Sequence, residues 1–327
     1  MISVVIPCYN AAKTLAETVE SALTQRVDKE IIVVDDGSTD GSAAVIAAFG
    51  QKVRAISTPN RGVSAARQTG VAAARGDHVQ YLDSDDLLAE GALAARLEAL
   101  ARSGGDVAHQ DWQRLEPDGA GGFRLGQIRR ADLTRIEADA EVAAATAEFW
   151  APPAGLLYSR AMVERIGPWH PNLPVIQDAR YLFEAARHGA KFVHAPGVGA
   201  YYRISAGSLS QRNRAAFIRD CAVNAAEIEA LWRADGAMPP TRRAAVAAMW
   251  RMVANAALYD GLNDFEAARI AYRRAGGERR ALYDVGLALR RLLGPRAAAT
   301  AMRAAQRGAA FVLPRQRAVA ASDAHAA

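Results

Sequence analysis

Cysteine is nearly absent from this chain: there are two among 327 residues, Cys8 and Cys221. That excludes a disulfide-stapled scaffold and a Cys-rich zinc site. No stretch approaches the ~20 apolar residues needed to span a bilayer. The opening Met1-Ile2-Ser3-Val4-Val5-Ile6-Pro7 lacks the basic segment and the apolar length of a secretory signal. No convincing internal repeat is found either. The compartment these absences suggest is the reduced cytoplasm.

Apolar residues, in contrast, are plentiful. They make up 51% of the chain against 23% charged, enough for a sizeable core and for roughly two domains on the ~150-residue prior. The net charge of +5 is unevenly spread. Residues 214–327 carry 18 basic against 10 acidic side chains, and residues 1–213 carry 22 against 25. Between Arg273 and Arg317, 11 arginines face only Glu278 and Asp284. A mildly acidic front and a basic back suggest two units with different partners.

Strand-like and helix-like runs alternate over the first ~100 residues, a periodicity that predicts parallel βαβ units. The strands are expected over Ile2–Ile6, Ile31–Val34, Val53–Ile56 and His78–Leu82. The helices between and after them are expected over Ala11–Leu23, Gly41–Phe49, Val63–Ala74 and Gly91–Ala101. Such a mostly parallel sheet, flanked by helices, binds ligands beyond the carboxyl ends of its strands. Polar residues cluster where those strands stop: Pro7-Cys8-Tyr9-Asn10, Asp35-Asp36-Gly37-Ser38 and Asp83-Ser84-Asp85-Asp86. Further on, Gly119-Ala120-Gly121-Gly122 reads as the tip of a loop or hairpin. After Arg214 the chain is Ala- and Arg-rich with helical spacing, broken at Met238-Pro239-Pro240, Gly276-Gly277 and Gly294-Pro295. The unit boundary is expected near residues 205–215 and a frayed tail over the last dozen residues.

Asp83-Ser84-Asp85 is the sharpest chemical signal. Two hard carboxylates on one strand-end turn suit Mg²⁺ or Mn²⁺, which bind through one or two carboxylates plus substrate phosphates. The plainer alternative is that Asp83 or Asp85 caps a helix starting near Leu87. Three further blocks stand in order around this turn: Val5-Ile6-Pro7-Cys8-Tyr9-Asn10, Val33-Val34-Asp35-Asp36-Gly37-Ser38-Thr39-Asp40 and Asn60-Arg61-Gly62-Val63-Ser64-Ala65-Ala66-Arg67.

With these four blocks the sequence resembles the family 2 glycosyltransferases over roughly residues 1–210, most strongly over 1–90. The resemblance implies a GT-A-type nucleotide-sugar fold, a nucleotide-diphospho-sugar donor and inversion at the anomeric centre. It assigns Pro7, Tyr9, Asp36 and Asp83 to the nucleoside and sets Arg67 against the base or the diphosphate. Asp85, with Asp83, would hold the divalent metal (Mn²⁺ or Mg²⁺) that bridges the phosphates. The family's base position matches Asp178, within Pro174-Val175-Ile176-Gln177-Asp178-Ala179-Arg180. Gln177 departs from the acidic residue common there, which lowers the like-charge pressure expected to raise the Asp178 pKa. Asp178 could equally cap its helix.

The resulting division is a catalytic domain over 1–210 and a basic α-helical region over 211–327. The implied donor is a UDP-sugar, uridine being the family's commonest base, and the acceptor a hydroxyl, with a lipid-linked glycan among the options. Trp150 and Trp169-His170 flank the base and suit either a sugar ring or the core. His194 could approach the metal. Gln211-Arg212-Asn213-Arg214-Ala215 lacks the Trp of polymer-making members, which disfavours a processive synthase. The basic region reads as a peripheral contact with an anionic membrane surface or as a packing unit; no motif supports nucleic-acid binding. A nucleotidyltransferase is disfavoured because no Gly-rich phosphate loop follows the first strand. An idle polyanion-binding protein is disfavoured by the joint presence of Asp36, Asp83, Asp85 and Asp178.

Overall fold

The structure is a computed structural model that describes residues 1–204, 213–236 and 238–312. The first stretch contains β1 (Ile2–Cys8), α1 (Leu15–Leu23), β2 (Lys29–Asp35), α2 (Ser42–Ala48), β3 (Arg54–Ser57), α3 (Val63–Ala73) and β4 (His78–Tyr81). Next come β5 (Leu87–Leu88), α4 (Ala92–Ser103), β6 (Val107–Pro117), β7 (Phe123–Arg129), α5 (Leu133–Ala145), β8 (Leu156–Ser159), α6 (Arg160–Ile166), α7 (Gln177–Arg187) and β9 (Phe192–Arg203). The C-terminal helices are α8 (Arg214–Ala234), α9 (Pro240–Tyr259), α10 (Phe265–Arg274), α11 (Ala281–Leu293) and α12 (Pro295–Val312).

One sheet runs in the order β3-β2-β1-β4-β8-β6-β9-β5, with β7 added to β6 as a hairpin partner. The β3-β2-β1-β4 half is parallel throughout, as the periodicity predicts. Beyond β4 the sheet is mixed: β8 is antiparallel to both its neighbours, while β6 and β9 are parallel. Every residue of β1 is buried, the expectation for a parallel strand covered on both faces. The Gly119–Gly122 turn is the tip of the β6–β7 hairpin.

α3 lies unusually close to the sheet. A Cβ at Gly70 would stand 2.3 Å from Val5 Cγ1, so only glycine permits this approach. The approach carries Arg67, one turn earlier, into the layer beneath the strand ends. β1, β2 and β4 are parallel and in register, so the turns after Cys8, Asp35 and Tyr81 open on one edge.

The C-terminal helices share the principal core, which runs without a break from Ile2 to Met302. Trp232 on α8 is fully buried beside Phe183 of α7, with ring centroids 6.0 Å apart. Its indole N–H donates to Glu141 of α5 at 2.5 Å. Glu141 also pairs with Arg187 of α7 at 3.2 Å and Arg242 of α9 at 2.8 Å. The expected boundary at 205–215 falls largely on residues outside the described ones, as do Gln211 and Arg212 of the pentapeptide and the expected tail.

α11 divides its apolar residues between the core and the outer face. Tyr283 and Gly286 are buried and Leu282, Leu287 and Leu289 pack partly on the core, while Val285, Leu292 and Leu293 face out, Leu292 at 80% exposure. Arg290, one of the arginines of the basic region, turns inward to the Leu262 carbonyl and the Phe265 ring.

Candidate functional site

The first two turns are stitched together by short polar side chains. Asn10 sits at φ 51°, a left-handed conformation that asparagine tolerates. There its amide N–H bonds Ser38 Oγ at 3.0 Å and its Oδ1 accepts from the Thr39 N–H at 2.8 Å. This leaves the Tyr9 ring at the rim, 51% exposed, available to a flat partner. Pro7 is buried in β1, in register with Val34 of β2.

Asp36 is buried and clasps the third motif. Its Oδ1 accepts from the Arg61 N–H at 3.0 Å and from Thr58 Oγ1 at 3.2 Å, and its Oδ2 from the Gly62 N–H at 2.8 Å. These bonds take three of the roughly four acceptor positions of a carboxylate. The intervening Gly37 is required: it has φ +74°, and a Cβ there would lie 2.8 Å from Asn60 N.

Arg67 is 1% exposed and ion-paired with Asp83. Its guanidinium lies over the Trp169 ring at 4.2 Å, and Trp169 stacks on Tyr181 with centroids 4.0 Å apart and planes 2° from parallel. Nε and Nη1 of Arg67 have no partner among the described residues. A buried cation with unused donors is costly unless an anion meets it. Trp169 is thereby a buried packing element, settling its two options in favour of the core.

The acidic turn does not cap a helix. The residues after it form β5, paired antiparallel with β9, and α4 begins only at Ala92 with Gly91 as its cap. The turn is held from outside. Thr14 Oγ1 donates to the Ser84 carbonyl at 2.8 Å and Thr18 Oγ1 to the Asp86 carbonyl at 2.9 Å. Arg203 donates through Nε to the Asp85 carbonyl at 2.7 Å and through its backbone N–H to Asp86 Oδ1 at 2.9 Å. Burial and the neighbouring Asp83 charge raise Asp85 to about 6. Asp86, fully buried and flanked by the same carboxylates, is also raised, and its Oδ2 has no partner among the described residues.

This donor set fits a divalent cation. Three carboxylates crowd one turn and, among the described residues, only Asp83 is paired with a cationic side chain. Mg²⁺ or Mn²⁺ needs only one or two of them when a diphosphate and water complete its shell. Among the described residues no group of three or more His, Cys, Asp or Glu is arranged to hold a metal. His194 accordingly does not join Asp83 and Asp85; its Nε2 lies 3.4 Å from Asp111 and its ring beside His109.

Asp178 is the second residue of α7, whose cap is Ile176 with no side-chain bond, so the capping option fails. Its Oδ2 accepts the indole N–H of Trp150 at 3.1 Å. Burial raises its pKa and the Asp83 charge adds to this, while Arg67 acts in the opposite sense. Desolvation raises this carboxyl with the uncharged Gln177 beside it. Trp169 lies between Arg67 and Tyr181 of α7, one turn past Asp178, so the Arg67–Asp83 pair and the start of α7 are brought together across nearly a hundred positions. Arg203 and Tyr202 were not singled out as parts of the site by sequence reasoning, and Trp150 was named only as a sugar platform or core residue, not as a donor to Asp178; the aromatic-rich Tyr201-Tyr202-Arg203 at a strand end was the available signal.

An α/β sheet with acidic and basic side chains gathered beyond the ends of its parallel strands is the architecture in which such sheets bind ligands. Residues 3–161 match the model described as glycosyl transferase family 2 and form a domain of that family. Among relatives, the succinoglycan biosynthesis protein ExoO of Rhizobium meliloti (strain 1021) is 36% identical over 138 residues, 41% of this chain and 39% of that protein. The chain thus matches well under two thirds of that relative's length. Among solved structures, S. aureus TarS 1-349 in complex with UDP superposes with a TM-score of 0.60 at 16% identity, covering 94% of this chain and 91% of that one. The mannosyltransferase PcManGT from Pyrobaculum calidifontis, in complex with GDP-Man and Mn²⁺, gives 0.53 at 22% identity, covering 95% and 86%. At these identities the two structures establish the fold, which is GT-A.

Proposed function

We propose that this chain is a divalent-metal-dependent, inverting glycosyltransferase. It moves one sugar from a nucleotide-diphosphate donor to a hydroxyl acceptor in cell-surface glycan or glycolipid assembly. Residues 1–210 are the catalytic unit and residues 211–327 the appended helical region. The observation that carries the reading is the buried Arg67 with its unused donors, paired with Asp83 of the acidic turn and joined through Trp169 to α7, which carries Asp178. Neighbours of this fold bind UDP and, with Mn²⁺, GDP-Man; a UDP-sugar is our choice of donor.

In this reading the Tyr9 ring covers the nucleobase, Pro7 shapes the strand end beneath it, and Asp36 offers its remaining acceptor position to the nucleoside. Asp83 orients Arg67, whose free N–H groups meet the base or the diphosphate, and takes part in ribose or metal binding. Asp85 and Asp83 hold the cation. A bound divalent ion supplies Lewis-acid compensation of the charge that develops on the leaving diphosphate. Asp178 accepts the proton of the acceptor hydroxyl as its oxygen bonds the anomeric carbon and the bond to the diphosphate oxygen breaks. One displacement inverts that carbon.

The exposed Val285, Leu292 and Leu293 beside Arg279, Arg280 and Arg291 favour peripheral contact with an anionic membrane, where a lipid-linked acceptor would be met. A cytoplasmic protein stationed at the inner membrane face fits this arrangement. A panel of UDP- and GDP-sugars, assayed with Mn²⁺ or Mg²⁺ and with the product's anomeric configuration read by NMR, tests the central reading. Retention of configuration, or no turnover of any sugar nucleotide, would overturn it.

A further inference from the structure

The Trp150 indole is the one side-chain hydrogen bond that Asp178 receives among the described residues. It arises from a segment 28 positions earlier in the chain. The indole is fixed from two other sides. Trp112 of β6 meets it edge-on with centroids 5.3 Å apart and planes at 86°, and Tyr202 of β9 does so at 5.7 Å and 84°. Trp112 and Tyr202 also contact each other at 5.5 Å. Such edge-to-face triads have little freedom to turn. Trp112 is itself buried, and strands β6 and β9 are paired through this stretch, in the register Trp112 with Ala200. The indole N–H therefore has a fixed direction, and it points at Oδ2.

A base in a glycosyl transfer must present one oxygen to the acceptor hydroxyl at hydrogen-bond range and keep it there. A free carboxylate rotates about its last torsion, which has a broad energy minimum. A donor locked on one oxygen removes that rotation and leaves Oδ1 for the acceptor. We infer that Trp150 is a positioning residue: its indole N–H locks Asp178 Oδ2 so that Oδ1 faces the acceptor hydroxyl. This inference rests on Asp178 being the base.

The test uses the full chain with Trp150→Phe, which keeps an aromatic ring between Trp112 and Tyr202 but lacks the N–H. Trp150→Tyr is measured beside it, and either variant that melts like wild type decides. Three quantities are read: UDP affinity with Mn²⁺ by calorimetry, KM for the sugar nucleotide that wild type turns over, and kcat. The same substitution is then made in Asp178→Asn. The expected result is a fall in kcat of about 10-fold or more with UDP affinity and KM held, in line with the sensitivity of rate to small misplacement. In the Asp178→Asn background the substitution costs nothing further, because a residue acting through another shows full coupling to it. Wild-type kcat in the folded variants, or an equal loss in both backgrounds, overturns the positioning role alone. An Asp178→Asn protein with wild-type kcat overturns the base reading, and this inference falls with it.

Discussion

Arg203→Met is the substitution that most directly probes how the acidic turn is held. The wild-type side chain is 4% exposed. It reaches the Asp85 carbonyl at 2.7 Å through Nε and the Glu17 carboxylate at 2.7 Å through Nη2, and its guanidinium lies 4.4 Å from the Phe123 ring centroid. Methionine preserves most of the stem and removes all three contacts. The abandoned Asp85 carbonyl costs about 1–3 kcal/mol as a buried acceptor without a donor. The lost cation–π contact adds roughly 0.5–1 kcal/mol. The Glu17 pair adds only a few tenths, about 0.3 kcal/mol, because the glutamate is largely in solvent and screened. The sum is about 2–4 kcal/mol, and at roughly 2 °C per kcal/mol for a chain of this length the midpoint falls by about 4–8 °C. The backbone N–H to Asp86 survives, so the turn loosens without unfolding. Metal-supported UDP affinity should then drop by about 10–100-fold, the usual effect of removing an outer partner of a metal ligand. Differential scanning calorimetry and titration of UDP with Mn²⁺ read the two effects. Arg203→Lys, which restores the charge but not the two-point reach, should recover little of either. A variant that melts with wild type and binds UDP equally would refute the account of the turn.

Three other outcomes follow from the same geometry. Asp85→Asn should abolish turnover and weaken UDP binding while leaving the melting temperature near wild type, since its carboxylate makes no side-chain hydrogen bond or ion pair among the described residues; wild-type turnover should vanish in EDTA and return with Mn²⁺ or Mg²⁺, and full turnover by metal-free protein would refute the metal assignment. Asp178→Asn should keep UDP affinity and lower kcat by ~10²–10⁴-fold, the worth of a positioned base; collapse of donor affinity with kcat intact would make Asp178 a binding residue. Sedimentation with anionic liposomes should weaken with added salt and with the paired substitutions Leu292→Ser and Leu293→Ser, which sit on the outer face of α11; unchanged sedimentation, or none by wild type, would reject membrane contact.

Much of the catalytic half is legible in the sequence. Ile2–Cys8, Ile31–Val34 and His78–Tyr81 are apolar runs ended by polar clusters, and local composition alone marks both where such strands lie and where they stop. Strand direction follows from the helices between them, which places three polar turns on one edge. The motif residues Pro7, Tyr9, Asp36, Arg67, Asp83 and Asp85 belong to this local layer. Contacts across long stretches of chain were not legible. Leu87-Leu88 after an acidic turn carries the same local signal as a capped helix, and only pairing with Ala200 and Tyr201 makes it a strand.

The fit of Asp178 to its role has the same character. Its neighbours in sequence predict a less perturbed carboxylate, whereas burial raises its pKa, with the charges of Arg67 and Asp83 acting in opposite senses. Arg203 reaches Asp85 across 118 positions, and no periodicity encodes such a bond. The arginine-rich C-terminal stretch is plainly helical from its spacing, but which of its apolar residues pack and which face water was decided by docking. Sequence alone therefore determines the strands, their order and the chemistry offered at their ends, because these depend on residues within a few positions of one another. Tertiary structure decides which side chains are desolvated and which donor meets which acceptor, because burial and hydrogen-bond direction exist only once distant segments have packed together.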